Sequence, residues 1–160
     1  MTAAAVLAAA RSKGWRIATA ESCTGGLLAG SLTDIPGSSD VFERGFVTYS
    51  NASKIEMLGV DPALISAHGA VSEEVAAAMA RGAFARSEAT LAVSTTGIAG
   101  PGGSEFKPEG RVCFGLASPA GVSTRTIDFG DVGRAQVRTA AVETALRLLA
   151  TALDQAAPIS

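Results

Sequence analysis

The 160-residue sequence predicts an α/β fold with a mixed sheet and helices on both of its sides. In its first two thirds, short β-rich runs alternate with helical segments, a pattern that favours parallel strand pairing. Later, two β-rich runs over residues 111–117 and 122–129 are joined by the turn residues 118–121, which indicates an antiparallel hairpin. We therefore expect a mainly parallel sheet that ends in a hairpin.

The first elements are predicted to be a helix over residues 3–13, favoured by its alanine content, and a strand over 15–20. Gly14 ends the helix between them. The segment Glu21–Gly26 follows the strand and is itself followed by leucines and alanine at helical spacing. Ser22 is therefore expected at a strand-to-helix junction.

The middle of the chain is predicted to hold a second strand over residues 41–49, after a cluster of breaker residues at 35–39. Ser50 can cap the next helix, 52–58, with Lys54 in its first turn. Short helical turns or helices are expected after it, over residues 62–67 and from 72 onward, where a serine precedes two acids.

The last elements are predicted to be a third strand over residues 91–95, a loop, the hairpin and a long helix. Gly and Pro dominate residues 96–104, which favours a loop. Over residues 133–154, apolar side chains recur at steps of four, three and four, as in a helix that covers a sheet: Val142, Leu146, Leu149 and Leu153.

The bulk properties predict one globular domain over residues 1–160. The net charge is −2 and the basic residues are scattered, so no nucleic-acid partner is indicated. No apolar stretch reaches the roughly 20 residues of a membrane span, and the opening alanine run lacks a preceding positive residue, so a cytoplasmic location is expected. Cys23 and Cys113 lack metal-ligand spacing and are expected as buried thiols, without a metal site.

Ligands of open α/β sheets collect beyond the carboxyl ends of strands, where three predicted loops begin, at residues 21–26, 49–54 and 95–104. Ser22 precedes helix N–H groups that can stabilise an oxyanion, which suits a nucleophile. Helix capping by Ser22 or Thr24 is the alternative. A lysine desolvated in a pocket can serve as a base, which makes Lys54 a candidate and Tyr49 a possible proton relay.

Other interpretations of these residues are open at this point. Lys54 and Tyr49 can equally be a solvated lysine and a rim tyrosine. The single histidine, His68, offers a disfavoured alternative base. Arg134 and Arg138, one turn apart at the start of the last helix, can clamp a phosphate or simply be solvated.

Four motifs stand out along the chain: TAESCTGG from Thr19, FERGFVTYSNASK from Phe42, HGAVSEEV from His68 and TTGIAGPGG from Thr95. Together they resemble the C-terminal domain family of CinA proteins. The resemblance covers nearly the whole chain, with the motifs in the family's order. It implies a three-layer α/β/α sandwich and a homo-oligomer.

The resemblance also implies an activity without a metal or other cofactor, in which the carboxamide of nicotinamide mononucleotide is hydrolysed to the nicotinate nucleotide and ammonia. Its catalytic serine, tyrosine and lysine fall on Ser22, Tyr49 and Lys54. Residues implied to contact the nucleotide substrate are Glu21, Cys23, Thr24, Gly25, Gly26, Thr96, Gly97, Gly100 and Arg138.

Two alternatives to this activity remain open. The glycine loop, residues 100–110, carries Glu109 where the family usually has valine, which motivates an inactive nucleotide-binding module. The second alternative is an amidase for another small substrate, because a fold and a nucleophile do not define the leaving group.

Overall fold

The computed structural model describes residues 2–104 and 106–159. Its helices are α1 (Ala3–Lys13), α2 (Leu27–Thr33), α3 (Asn51–Leu58), α4 (Pro62–His68), α5 (Glu73–Ala85) and α6 (Arg134–Gln155). Its strands are β1 (Ile17–Glu21), β2 (Phe42–Val47), β3 (Leu91–Gly97), β4 (Arg111–Ser118) and β5 (Gly121–Asp128). A short 3₁₀ turn over Ser38–Asp40 precedes β2.

The five strands form one mixed sheet in the order β2-β1-β3-β4-β5. Strand β1 pairs in parallel with β2 and β3, while β4 pairs antiparallel with β3 and β5. The predicted mixed sheet and late hairpin are confirmed. The third strand is longer than predicted and includes Thr96 and Gly97, because these residues pair with Cys113 and Val112 of β4.

Helices cover both faces of the sheet and complete the expected three layers. Helices α1, α2 and α6 pack on one face around a core whose fully buried members include Leu7, Ile17, Leu28, Leu149 and Leu153. Helices α3 and α5 pack on the other face around a second core with Leu58, Val75, Met79 and Ala92. The last helix buries Leu146, Leu149 and Leu153 as predicted, whereas Val142 is half-buried.

The predicted ends of the first two strands, residues 20 and 49, differ from the observed ends, and this difference affects the position of the site residues. Strand β1 ends on Glu21, and β2 ends at Val47, so that Thr48 and Tyr49 already lie beyond the sheet. Thr48 still donates its backbone N–H to the carbonyl of Glu21 at 2.8 Å. The segments that leave β1, β2 and β3 therefore start side by side at one edge of the sheet.

No helix within residues 2–104 and 106–159 combines the length and the apolar character needed to cross a membrane.

Candidate active site

Ser22 is the first residue of a tight turn between β1 and α2. Its backbone N–H donates to the Thr95 carbonyl at 2.9 Å, and its own carbonyl accepts from Gly25 N–H at 3.1 Å. Gly25 and Gly26 have φ values of 58° and 103°, a region that side chains rarely adopt. The two glycines thus allow the chain to turn sharply from the strand into the helix.

Glu21, the last residue of β1, caps α2 with its side chain. Its carboxylate accepts the backbone N–H groups of Leu28 at 2.9 Å and Ala29 at 3.0 Å, and the hydroxyl of Thr24 at 2.6 Å. We predicted that N–H groups of this helix would serve an oxyanion. That prediction is wrong for Leu28 and Ala29, because the carboxylate of the preceding strand already occupies these two donors.

Lys54 reaches Ser22 from α3, on the opposite side of the sheet from α2. Its Nζ lies 3.1 Å from Ser22 Oγ and 3.3 Å from the carbonyl of Tyr49. Lys54 is 1% exposed and Ser22 is buried. Helix α3 begins after Ser50, whose hydroxyl accepts the N–H of Ser53 at 3.0 Å, so the cap predicted from sequence fixes the turn that carries the lysine.

Tyr49 lies at the rim of the site, where its side chain is 59% exposed. Its hydroxyl accepts a hydrogen bond from Nη2 of Arg134 at 2.8 Å, and Nη1 of the same guanidinium donates to the Gly100 carbonyl at 2.8 Å. Lys54 Nζ contacts Ser22 Oγ directly, and the hydroxyl of Tyr49 bonds to Arg134 at the mouth of the site. The relay role of Tyr49 stays a prediction.

A cavity of about 340 Å³ opens beside Ser22 and Lys54. The glycine loop forms one wall, and Tyr49 and Arg134 lie at its edge. This volume is at the lower end of the range for small-molecule sites. Of the residues predicted to form the site, those that line the cavity are Ser22, Cys23, Tyr49, Lys54, Thr96, Gly97 and Gly100.

The other predicted substrate contacts lie outside the cavity lining, namely Glu21, Thr24, Gly25, Gly26 and Arg138. The side chains of Glu21 and Thr24 are fully buried and bond to each other. Arg138 donates from Nε to the carbonyl of Cys23 at 3.1 Å and from Nη2 to that of Thr24 at 3.4 Å. These residues support the Ser22 turn from behind.

His68 does not contribute to the cavity. It ends α4, and its Nδ1 lies 3.3 Å from a carboxylate oxygen of Glu74 on α5. The alternative in which His68 activates Ser22 is therefore wrong for this arrangement.

The structure adds cavity residues that were not among the predicted contacts, including Asn51, Val71 and Arg134. Asn51 lies between Tyr49 and Lys54 in the sequence motif, so this position could have identified it as a site residue. Val71 has an apolar side chain in a loop and gave no such signal. Arg134 was weighed as a phosphate ligand with Arg138, but the structure brings Arg134 to the cavity.

The glycine loop is held in place by contacts from several sides. Ser104 and Lys107 exchange backbone hydrogen bonds at 3.1 and 2.8 Å, and the Lys107 ammonium donates to the carbonyls of His68 and Val71. The Gly102 N–H donates to the carboxylate of Glu109. A hydrogen bond with Asp131 raises the pKa of Glu109. The loop wall is thus braced against the body of the domain.

Cys23 lies directly after Ser22 and lines the cavity, yet its thiol is expected to be unreactive. Burial raises the pKa of its thiol to about 12. Because the thiolate is the reactive form, the thiol stays inert below that pH. We expect iodoacetamide at pH 8 to leave Cys23 unmodified in the folded protein and to alkylate it in guanidinium, as measured by mass spectrometry. Rapid labelling of folded protein would contradict this expectation.

Within the described residues, no group of three or more His, Cys, Asp or Glu side chains is arranged to hold a metal ion. Fold and site together define an α/β/α protein with a buried serine–lysine pair at the carboxyl edge of its parallel strands. The chain belongs to the CinA C-terminal domain family, whose model matches residues 1–153.

Curated relatives in this family are longer proteins. The chain is 58% identical over 146 residues to a CinA-like protein of Chlorobium phaeobacteroides and covers 35% of it. It is 55% identical over 149 residues to a CinA-like protein of Mycolicibacterium paratuberculosis and covers 34% of it. These matches include 88% and 89% of this chain. The chain thus spans about a third of the length of these relatives.

Solved structures of related proteins have the same fold over almost their whole length. The competence/damage inducible protein CihA from Agrobacterium tumefaciens superposes with a TM-score of 0.91 at 48% identity, covering 96% of this chain and 93% of that one. A CinA superfamily protein from Klebsiella pneumoniae gives a TM-score of 0.92 at 32% identity, with 96% of both chains covered.

Proposed function

We propose that this protein is an amidohydrolase that converts nicotinamide mononucleotide to nicotinate mononucleotide and ammonia. The observation that carries the proposal is the 3.1 Å contact between Lys54 Nζ and Ser22 Oγ at the wall of a cavity. A neutral amine at that distance can remove the serine proton. The family resemblance found in the sequence supplies the substrate.

In the proposed mechanism, Ser22 Oγ attacks the carboxamide carbon and gives its proton to Lys54 Nζ. The carbonyl oxygen becomes a tetrahedral oxyanion, which backbone N–H groups can stabilise. Lys54 then returns the proton to the leaving nitrogen, the C–N bond breaks, and ammonia departs. Lys54 next takes a proton from the water that attacks the acyl-enzyme. As the ester bond breaks and the nicotinate carboxylate leaves, Lys54 returns this proton to Ser22 Oγ.

The basic end of the cavity supports a phosphorylated substrate. Arg134 lines the cavity at the first residue of the 22-residue helix α6. The Gly133 cap gives this helix no side-chain hydrogen bond, and its first turn contains no acidic residue. A helix N-terminus combined with an arginine is a favourable setting for a phosphate group. Tyr49, bonded to Arg134, would lie beside the ribose or the ring.

The direct test is ammonia release by the purified protein from nicotinamide mononucleotide, compared with nicotinamide riboside and nicotinamide. We expect the mononucleotide to be preferred because it alone carries the phosphate. Binding of the mononucleotide without ammonia release would favour an inactive nucleotide-binding module. Ammonia release from other amides in preference to these three would indicate a different substrate.

Replacing Arg134 by Met tests the phosphate assignment. A hydrogen bond to a charged group contributes roughly 1.5–3 kcal/mol, so we expect KM for the mononucleotide to rise about 10- to 100-fold. The same variant should leave KM for the riboside unchanged. Arg147→Met is the matched control, because Arg147 lies on the same helix, bonds to Thr144 and is not in the cavity lining. Equal KM increases for both substrates would refute a phosphate contact.

A further inference from the structure

Glu21 is a buried carboxylate that lies next to the nucleophile and outside the substrate cavity. It is 0% exposed, and each of its oxygens accepts at least one hydrogen bond. Among the described residues, the donors that bond to it are the neutral groups of Thr24, Leu28 and Ala29. Hydrogen bonds of this kind stabilise the charged form of a carboxyl group.

A buried charge is costly unless an opposite charge lies within electrostatic reach. Two cations contact the Ser22 turn, which directly follows Glu21. Arg138 binds the carbonyls of Cys23 and Thr24 from α6, where it is only partly buried. Lys54 is almost completely buried, and its Nζ is 3.1 Å from the hydroxyl of the residue that follows Glu21.

Both buried charges act on the same neighbouring atom, the thiol of Cys23. Burial is the main cause of its raised pKa, to which the charge of Glu21 adds and which the charge of Lys54 opposes. Glu21 is also the residue directly before Ser22, whose Oγ lies 3.1 Å from Lys54 Nζ, so both side chains adjoin the same turn. In this weakly screened interior, a negative charge near an amine favours its ammonium form.

We propose that Glu21 is a positioning residue whose buried negative charge stabilises the ammonium that Lys54 becomes when it accepts the proton of Ser22. Glu21 also fixes the Ser22 turn through Thr24, whose hydroxyl lies 2.8 Å from that of Thr95 on β3. The role rests on the proposed serine–lysine chemistry and leaves the choice of substrate open. It makes the site a serine–lysine pair supported by a buried carboxylate outside the cavity.

Four other ionisable groups among the described residues adjoin the Ser22 turn or the cavity. Arg134 and Tyr49 line the cavity on its outer side and bond to each other. Arg138 lies behind the turn and bonds to backbone carbonyls. The thiol of Cys23 is neutral at the pH values of interest because its pKa is raised to about 12.

The test follows the reaction of Ser22 with a fluorophosphonate as a function of pH, which does not require the proposed substrate. Mass spectrometry gives the labelling rate for the wild-type protein, for Glu21→Gln and for Thr24→Val. Glutamine keeps the size of the side chain but removes the charge. Valine removes the Thr24 hydrogen bonds and keeps the charge, so it controls for damage to the turn.

We expect the wild-type rate to rise with pH as Lys54 loses its proton. In Glu21→Gln, this rise should move to lower pH by at least about half a unit, because the ammonium loses its stabilising charge. The limiting rate should also fall by about fivefold or more, since Lys54 becomes a weaker base. Thr24→Val should keep the wild-type midpoint. A Glu21→Gln midpoint equal to that of the wild type overturns the proposal.

A second measurement covers the case in which Glu21→Gln does not fold. The side-chain carboxyl ¹³C resonance of Glu21, identified with Glu21→Asp, is followed in the wild-type protein over the same pH range. A resonance that stays at the ionised position supports the proposal, and one that moves with the rate overturns it. Failure to label Ser22 also overturns it, whereas labelling without ammonia release from the mononucleotide refutes only the proposed substrate.

Discussion

Ser22→Ala is expected to abolish ammonia release from nicotinamide mononucleotide, with a fall in kcat of about 10⁴-fold or more. The variant removes the atom that is proposed to form a covalent bond with the substrate, so no acyl-enzyme can form. Substrate affinity should change little, because Arg134 and the glycine loop are untouched. The measurement combines steady-state ammonia release with mass spectrometry of the fluorophosphonate adduct, which should be absent.

Ser94→Ala is a matched control for this experiment. Ser94 is a fully buried serine on β3, where its hydroxyl donates to the Ala76 carbonyl at 2.6 Å, and it does not line the cavity. Its loss should lower stability by roughly 1–2 kcal/mol while activity is retained. Activity that persists in Ser22→Ala, with a native melting curve, would contradict the serine mechanism.

The main features of the fold could be predicted because local sequence and topology agree. Turn residues flank each strand, and the cap at Ser50 defines the start of α3 in the sequence and in the structure. The convergence of three loops followed from a general property of parallel strands, whose carboxyl ends meet at one edge. The meeting of Ser22 and Lys54 is a consequence of that convergence.

The roles of the two arginines could not be predicted, because they depend on where α6 sits along the sheet edge. Arg134 and Arg138 are separated by one helical turn, about 6 Å along the axis. Both face the site, but the loop that ends at Gly133 sets which of them reaches the cavity. As a result, Arg134 contacts Tyr49, whereas Arg138 binds the carbonyls behind Ser22.

The capping of α2 by Glu21 could not be predicted either, for a different reason. Sequence patterns favour helix caps from a residue just before the helix, such as serine or threonine. Here the residue before α2 is Gly26, which has no side chain, and the cap comes from the preceding strand. The contacts of Glu21 with Leu28 and Ala29 depend on the geometry of the glycine turn, which is visible only in the folded chain.

Lys54→Met is expected to lower kcat/KM by about 10²- to 10⁴-fold, the usual contribution of a general base. Methionine can occupy much of the space of the buried lysine stem, so the change removes the amine with little loss of packing. The part of the pH–rate profile that reports protonation of Lys54 should also disappear. Measurement of kcat/KM from pH 5 to 10 tests both expectations.

Lys13→Met distinguishes this effect from the general cost of losing a lysine that bonds to carbonyls. The ammonium of Lys13 donates to the carbonyls of Leu153 and Ala156, near the end of α6, and is not in the cavity lining. That variant should lose stability and keep the wild-type pH profile. If Lys54→Met instead kept the wild-type profile with an unchanged rate, another group would have to accept the proton of Ser22. Because Ser22 lines the cavity, a group of the substrate or a water molecule bound there could take that role.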